Sequence, residues 1–309
     1  MNLRDALSEN RCFVVCDGNV SAFAESLTGG VPSLRIIADE AHKTIGTVLD
    51  ICRWLFDNGA DRDAVLIAVG GGITSDVAGL AASLYMRGIR FGIVPTTLLS
   101  MVDASIGGKT GVNMDAYKNI LGTFREPEFT HIDLSALETL PEREFRCGAA
   151  ELLKTFLVSD GKLYERAVSV LSSDSLTVAD VAPLIEAAVK IKSSIVHRDP
   201  FDKGLRHVLN FGHTWAHAIE WKSEGAVPHG EAVSMGMVAA AVRSEALGIA
   251  PAGLSDRLRS DFEACGLPVS LPFPEDELLD AMRRDKKTAG SKINMVLLKK
   301  PGKAVVVAI

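Results

Sequence analysis

Short apolar runs alternate with amphipathic stretches over the first 135 residues. The apolar runs predict strands over residues 12–16, 34–38, 64–69 and 91–94. Between these runs, apolar residues recur at helical spacing and predict helices over residues 41–56 and 76–86. Strands that alternate with helices indicate right-handed βαβ units on a mostly parallel sheet. In such a sheet, ligands bind beyond the carboxyl ends of the strands.

The pattern becomes mainly helical after residue 141. Periodic apolar faces predict helices over residues 143–158, 176–196, 205–221 and 231–247. Two apolar runs near the end, 293–298 and 304–309, flank a Pro-Gly turn and predict a strand pair. We therefore predict an α/β domain over residues 1–135 and a mainly helical domain, with the short strand pair, over residues 136–309. A cleft between them is where we expect the chemistry.

Composition and charge restrict the class of protein. Of the 309 residues, 33 are Lys or Arg and 39 are Asp or Glu, a net charge of −6 that argues against a general nucleic-acid binder. A few cations in a cleft can still bind a small anion. No apolar run reaches the roughly 18 residues of a membrane helix, and the first residues lack the apolar stretch typical of a signal peptide. With five scattered cysteines, we expect a cytoplasmic protein without disulfides.

A run of three glycines, 70–72, lies between a predicted strand and a predicted helix. Glycines there let the backbone approach a pyrophosphate, and the helix N-terminus supplies N–H groups. The run is not GxGxxG, so nucleotide binding and a plain turn both stay open on this motif. Asp76 suits either a helix cap or a ligand contact. Thr96 and Thr97, which close the next predicted strand, suit either a cofactor contact or a helix cap.

A second glycine-rich segment, residues 103–113, carries Asp103 and Lys109, with Lys118 and Asn119 just beyond. It contains Gly-Gly-Lys-Thr, but the first glycine of a P-loop would have to stand at Asp103, so the segment is not a P-loop. A flexible glycine segment that presents two lysines favours anion binding over a solvated turn.

The histidines indicate a metal site. His213 and His217 lie four residues apart on a predicted helix and share one face. His229 opens the next predicted helix, and Glu151 lies with Lys154 on an earlier one. Nitrogen and oxygen ligands in this pattern are typical of a catalytic divalent metal. Spacing alone favours His213 and His217 as the ligand pair, while a structural role for each histidine stays open.

Taken in order, these segments resemble the 3-dehydroquinate synthase family. The resemblance spans nearly the whole chain, from Asp17 to the DKK segment, through GGGITSDVAGL, YMRGIRF, PTTLLSMVDASIGGKTGVN, KNILGTF, AAELLK, LRHVLNFGHTWAHAIE and HGEAVSMGM. It implies a Rossmann-like NAD-binding domain over residues 1–135 and a helical domain over 136–309 that holds zinc or cobalt, usually in a homodimer. One departure is Thr74-Ser75, where the family more usually has Val-Gly.

The resemblance also assigns site residues. The metal ligands it implies are Glu151, His213 and His229, which moves His217 from the metal to the substrate. The implied cofactor contacts are Asp17, Asn19, Glu40, Lys43, Gly71, Gly72, Asp76, Thr96, Thr97, Lys109 and Lys118. The implied catalytic and substrate-binding residues are Arg87, Asp103, Lys109, Lys118, Asn119, Lys154, Lys192, Arg206, Asn210, His217 and Lys286. Without the resemblance, Lys192 and Arg206 would be interpreted as solvated surface charges.

The resemblance implies conversion of 3-deoxy-D-arabino-heptulosonate 7-phosphate to 3-dehydroquinate and phosphate. In this reaction, NAD oxidises the substrate transiently, phosphate leaves by β-elimination, the hydride returns, and an aldol reaction closes the ring. The alternatives are an aminodehydroquinate or 2-deoxy-scyllo-inosose synthase type of cyclase, a metal-dependent alcohol or glycerol dehydrogenase, or a nucleotide-binding module with a structural metal. Arg206, Lys109 and Asn119 match the family pattern, which favours a carboxylated substrate.

Overall fold

The computed structural model describes residues 1–115, 117–286 and 294–308, except for the side chains of residues 283–286. The chain divides into two compact units, Met1–Leu140 and Pro141–Ile309. The first unit contains a parallel sheet with flanking helices, and the second is mainly helical. The predicted fold class is therefore confirmed.

The strands of the first unit are β1 (Cys12–Asp17), β2 (Ser33–Ile36), β3 (Val65–Gly70), β4 (Arg90–Pro95), β5 (Lys109–Met114), β6 (Tyr117–Phe124) and β7 (Phe129–Thr130). Its helices are α1 (Leu3–Glu9), α2 (Ser21–Thr28), α3 (Ile45–Asp57) and α4 (Gly72–Leu84). Shorter helical turns cover Gly18–Val20, Tyr85–Arg87, Ser100–Ala104 and Leu134–Thr139.

The central sheet is parallel throughout, with the strand order β2-β1-β3-β4-β7, and β5 and β6 form a separate antiparallel pair. Both faces of the sheet are buried. Phe13 and Val15 of β1 pack in one core with α3 and α4, while Val14 and Cys16 pack in the other with α1 and α2. Burial on both faces explains why β1, β3 and β4 are nearly continuous apolar runs, whereas exposed and partly buried residues alternate in the edge strand β2. The chain leaves β1 towards β2 on one side and β3 on the other, which places a crevice at the carboxyl ends of β1 and β3.

Two predictions about the glycine-rich segments need correction. The helix expected at residue 76 begins at Gly72, with Gly71 as its N-cap, so Asp76 lies inside α4 and does not cap it. Residues 103–113 do not form one flexible segment. They begin in the π-helical turn Ser100–Ala104 and continue into β5, whose N–H and C=O groups pair with β6.

The second unit contains α5 (Glu142–Ser159), α6 (Gly161–Leu171), α7 (Val178–Arg198), α8 (His213–Lys222), α9 (His229–Ala246), α10 (Leu254–Ala264), α11 (Glu275–Lys286), β8 (Asn294–Lys300) and β9 (Lys303–Ala308). Helix α5 is buried over most of its length and packs against α6, α7 and α9. Strands β8 and β9 pair antiparallel. Residues 293 and 309 of the predicted strand pair lie outside the described residues.

Within the described part of the chain, every helix is too short or too polar to cross a membrane.

The single helix predicted over residues 205–221 is wrong. A three-ten turn, Leu205–Asn210, precedes α8, and Gly212 separates the two with a left-handed φ of 81°. A Cβ atom on Gly212 would lie 2.8 Å from the backbone nitrogen of Met237 in α9. Glycine is therefore required both by the backbone conformation and by the close approach of α9. The break makes His213 the first residue of α8.

Thr74 provides a stability test for the first unit. It is fully buried on the first turn of α4, and its hydroxyl has no hydrogen-bond partner within the described structure. Thr74→Val keeps the shape of the side chain and removes an unsatisfied hydroxyl, whose burial costs about 1–3 kcal/mol. We expect the variant to melt about 2 °C higher or more, measured by thermal unfolding of the cofactor-free protein.

Thr28→Val is the matched control, because the buried Thr28 hydroxyl donates to the carbonyl oxygen of Ala24 at 2.8 Å. Thr28→Val removes this hydrogen bond and leaves the carbonyl oxygen of Ala24 without it, so the melting temperature should fall. A fall of similar size in both variants would show that the Thr74 hydroxyl is satisfied in solution.

Candidate functional site

The glycine turn lies at the crevice of the first unit. The Thr96 N–H donates to the carbonyl oxygen of Gly70 at 2.9 Å, which ties the end of β4 to the end of β3. A Cβ atom on Gly70 would lie 2.4 Å from Thr74 Oγ1, and one on Gly71 would lie 3.2 Å from Thr97 Cγ2. The turn thus has no room for side chains at its first position and little at its second. The N-cap of α4 is Gly71, which has no side chain to accept the first N–H groups of the helix, and an anion could accept them instead.

A polar network links the elements around this turn. Lys43 is 5% exposed, and its Nζ donates to Asp76 Oδ2 and to Asn119 Oδ1, each at 2.6 Å. Lys118 Nζ lies 3.7 Å from Glu40 Oε1. The loop after β2, the first turns of α4 and strand β6 therefore meet. Five of the predicted site residues, from three separate parts of the sequence, come together here.

The other predicted residues of the first unit occupy four places. Asp17 ends β1, and its Oδ1 accepts the N–H of Asn19 at 2.9 Å at the mouth of the crevice. Asp103 lies in the π-helical turn, and Lys109 is the first residue of β5. Arg87 is exposed in the three-ten turn after α4, with a left-handed φ of 67°.

A three-residue donor group forms in the second unit from α5, α8 and α9. Glu151, His213 and His229 each offer one atom, and these atoms lie within 4.8 Å of one another. The Nε2 atoms of His213 and His229 stand 3.5 Å and 3.4 Å from Glu151 Oε1. Two imidazoles and one carboxylate are typical protein ligands of a catalytic zinc ion. The group contains His229 and not His217, which corrects the pairing suggested by helical spacing.

Close helix packing builds this group. His229 is the first residue of α9, and a Cβ atom on the following Gly230 would lie 2.3 Å from the Cα atom of Cys147 in α5. The first turn of α9 can therefore touch α5 only because residue 230 is glycine. Glu151 lies one helical turn beyond Cys147, so this contact brings the His229 ring to the carboxylate.

Each imidazole also has a polar partner at its Nδ1 atom. His213 Nδ1 lies 3.2 Å from the carbonyl oxygen of Phe211, and His229 Nδ1 lies 3.4 Å from Glu220 Oε1. Such partners orient the rings and leave each Nε2 for a metal. Glu220 was missed from the sequence, although it follows His213 by seven residues and so shares its helix face.

The two histidines differ in proton affinity. Burial lowers the pKa of His213 to about 3, against the attraction of Glu151. Burial also acts to lower the pKa of His229, but hydrogen bonds and charge from Glu151 and Glu220 outweigh it and raise this pKa to about 10. A metal ion would therefore displace a proton from His229 when it binds.

Buried cations lie on α5, which carries Glu151, and on two elements that contact α5, namely α7 and the three-ten turn Leu205–Asn210. Lys154 Nζ is 2.5 Å from Glu151 Oε2 on α5. Lys192 on α7 and Arg206 in the three-ten turn are also buried. His217 is on α8, with its ring centroid 5.6 Å from that of His213, and Asn210 ends the three-ten turn. Lys286 ends α11, and its side chain lies outside the described part of the structure.

Comparison with known proteins places the chain in a family. Two family models match, described as 3-dehydroquinate synthase N-terminal over residues 33–147 and 3-dehydroquinate synthase C-terminal over residues 148–288. A 3-dehydroquinate synthase from Acidithiobacillus ferrooxidans is 41% identical, over 97% of this chain and 86% of the relative. One from Legionella pneumophila is 42% identical, over 89% of this chain and 77% of the relative.

Solved structures of sugar cyclases are also similar. The 2-epi-5-epi-valiolone synthase from Streptomyces hygroscopicus subsp. jinggangensis 5008, with NAD+ and Zn2+ bound, gives a TM-score of 0.90 at 29% identity, over 99% of this chain and 90% of that one. A 2-deoxy-scyllo-inosose synthase complexed with carbaglucose-6-phosphate, NAD+ and Co2+ gives a TM-score of 0.89 at 26% identity, over 98% and 89% of the two chains.

The support of His229 by Glu220 can be tested through metal binding. In Glu220→Gln, the amide keeps the size of the side chain but loses the charge that orients and strengthens the imidazole. We expect Zn2+ affinity to fall about 10–100-fold, measured by competition with a chromophoric chelator. Glu224→Gln, at an exposed position just after α8, is the control and should bind Zn2+ as the parent does. Equal Zn2+ affinity in all three proteins would contradict the assigned role.

Proposed function

The chain belongs to the 3-dehydroquinate synthase family, and we propose that it is the lyase that converts 3-deoxy-D-arabino-heptulosonate 7-phosphate to 3-dehydroquinate and phosphate. The observation that carries the proposal is the donor group of Glu151, His213 and His229, with the Lys154 ammonium 2.5 Å from the same carboxylate. Identity to named 3-dehydroquinate synthases is 41–42%, against 29% and 26% for the two other cyclases, which favours this substrate.

NAD and a divalent ion, zinc or cobalt, are the proposed cofactors, because the similar solved structures contain them. The donor set of the second unit fits the ion, and the uncapped α4 with its glycine turn fits the pyrophosphate of NAD. When bound, NAD would take up and return a hydride, and the ion would polarise the oxygen at the oxidised carbon. The proposed NAD-binding residues are those assigned by the resemblance, among them Asp17, Lys43, Gly71 and Asp76.

The buried cations suit a substrate that carries a carboxylate and a phosphate. Lys154, whose Nζ lies 2.5 Å from Glu151, would place its ammonium group at the reacting oxygen. Asn210 would serve the same oxygens, and His217 the phosphate end. Arg206 and Lys192 would bind anionic oxygens of the substrate. The other proposed contacts to its carboxylate, hydroxyls and phosphate are Arg87, Asp103, Lys109, Lys118, Asn119 and Lys286. Each charge-assisted bond of this kind contributes about 1.5–3 kcal/mol.

A cytoplasmic homodimer completes the proposal. It rests on the family resemblance. The net charge of −6 and the small anionic substrate are compatible, because a few buried cations act locally.

The proposed reaction predicts phosphate release without net reduction of NAD. We would mix the protein with 3-deoxy-D-arabino-heptulosonate 7-phosphate and measure inorganic phosphate together with absorbance at 340 nm. Release should require both NAD and the divalent ion, stop when a chelator is added, and leave the absorbance unchanged after turnover. Chromatography should identify 3-dehydroquinate as the product.

Two other outcomes would reassign the function. Release of phosphate from glucose 6-phosphate, and none from the carboxylated substrate, would indicate a cyclase of the 2-deoxy-scyllo-inosose type. Net NADH formation from a simple alcohol or glycerol, without phosphate release, would indicate a dehydrogenase.

A further inference from the structure

The loop between α7 and the three-ten turn Leu205–Asn210 closes around one carboxylate. Asp199 is the C-cap of α7. Its Oδ1 accepts the backbone N–H of Lys203 at 2.9 Å, and its Oδ2 accepts those of Gly204 at 2.8 Å and Arg206 at 3.0 Å. A single side chain therefore ties the end of a long helix to three N–H groups of the segment that leads into Arg206.

Arg206 is bound to the same place at its other end. Its guanidinium Nη1 donates to the carbonyl oxygen of Pro200 at 3.1 Å. The backbone and the head group of Arg206 thus both contact residues 199–200, and the side chain is only 3% exposed. Proline fixes its own φ and restricts the residue before it, so the Asp199 carboxylate is held on a stiff support.

We propose that Asp199 is a positioning residue, which fixes Arg206 in the orientation in which its guanidinium binds an anionic oxygen of the substrate. This inference rests on the proposed function, in which Arg206 contacts the substrate. Asp199 thus acts as an anchor for the loop that leads into Arg206. Lys192 lies about two turns before Asp199 on α7, so this anchor also sets the spacing between Lys192 and Arg206, two of the proposed substrate-binding cations.

The chemistry of the anchor is consistent with this role. Backbone N–H groups of Lys203 and Arg206 hold the pKa of the Asp199 carboxyl below its usual range. Asp199 is therefore ionised near neutral pH and can accept all three bonds. The alternative is that Asp199 only stabilises the loop and has no effect on substrate binding.

A matched pair of variants separates these two roles. Asp199→Asn leaves a single acceptor oxygen for three N–H donors. We expect KM for 3-deoxy-D-arabino-heptulosonate 7-phosphate to rise about tenfold, with a much smaller change in kcat. Asp180→Asn is the control: Asp180 accepts the Thr177 N–H at 3.0 Å in the cap at the opposite end of α7. It should lower the melting temperature and leave KM unchanged.

A double-mutant cycle tests whether Asp199 acts through Arg206. In an Arg206→Ala background, Asp199→Asn should raise KM by less than twofold. An equal rise in both backgrounds, or an unchanged KM in folded Asp199→Asn, would overturn the proposal. If Asp199→Asn does not fold, Asp199→Glu replaces it. The longer carboxylate should give a smaller rise in KM that also disappears without Arg206.

Hydrogen exchange, measured without substrate, tests whether Asp199 anchors the loop independently of the proposed function. Backbone N–H groups of residues 203–206 should exchange at least tenfold faster in Asp199→Asn than in the parent, with no substrate present. Unchanged exchange would show that Asp199 does not anchor the loop, whatever the reaction. A parent protein that releases no phosphate, yet shows this faster exchange in the variant, would remove the proposed substrate and leave the anchor in place.

Discussion

The buried carboxylate of Glu151 is the constraint on which the second unit depends. A fully buried carboxylate is strongly unfavourable unless cations or hydrogen-bond donors surround it. Lys154 supplies one charge from the same helix, and His213 and His229 bring two imidazoles from α8 and α9. The left-handed break at Gly212 and the close contact at Gly230 are therefore features that the carboxylate requires, since without them the two rings would not reach it.

The first unit depends on a different constraint, the burial of its parallel sheet. A parallel sheet buried on both faces leaves only its strand ends for polar chemistry. There, Lys43 compensates Asp76 and reaches Asn119, so one buried ammonium joins three parts of the chain. The glycine turn at the end of β3 has no space for side chains, because Thr74 and Thr97 occupy the space that they would need. Rigid walls around an uncapped helix end are what a bound anion requires.

Local pattern was sufficient to predict β1, β3 and β4, because burial on both faces leaves a continuous apolar signal in these strands. It also predicted β2, where exposed and partly buried residues alternate, and a mainly helical second half. It was insufficient for β6, which is exposed and carries Lys118 and Asn119 within its length. The break at Gly212 was missed because a contact with Met237, distant in sequence, requires it. His229 was a candidate from the sequence, but only the family resemblance put it in the place of His217, since helical spacing favours His217. Glu220 was missed altogether, and the roles of the site residues remain predictions.

Metal and NAD alone do not distinguish a dehydrogenase from a cyclase, because both begin with hydride transfer. The two classes differ after that transfer: a dehydrogenase releases its oxidised product, whereas a cyclase must hold it through elimination, reduction and ring closure. Holding one molecule through several steps needs groups fixed before it arrives, because each loose contact lowers the fraction of productive geometry. In the proposed function, Lys154, whose Nζ contacts Glu151, and Arg206, bonded at its backbone and its guanidinium to residues 199–200, are groups of this kind. Rigidity of the buried cations, more than their number, is therefore the property that suits this chain to a multistep reaction.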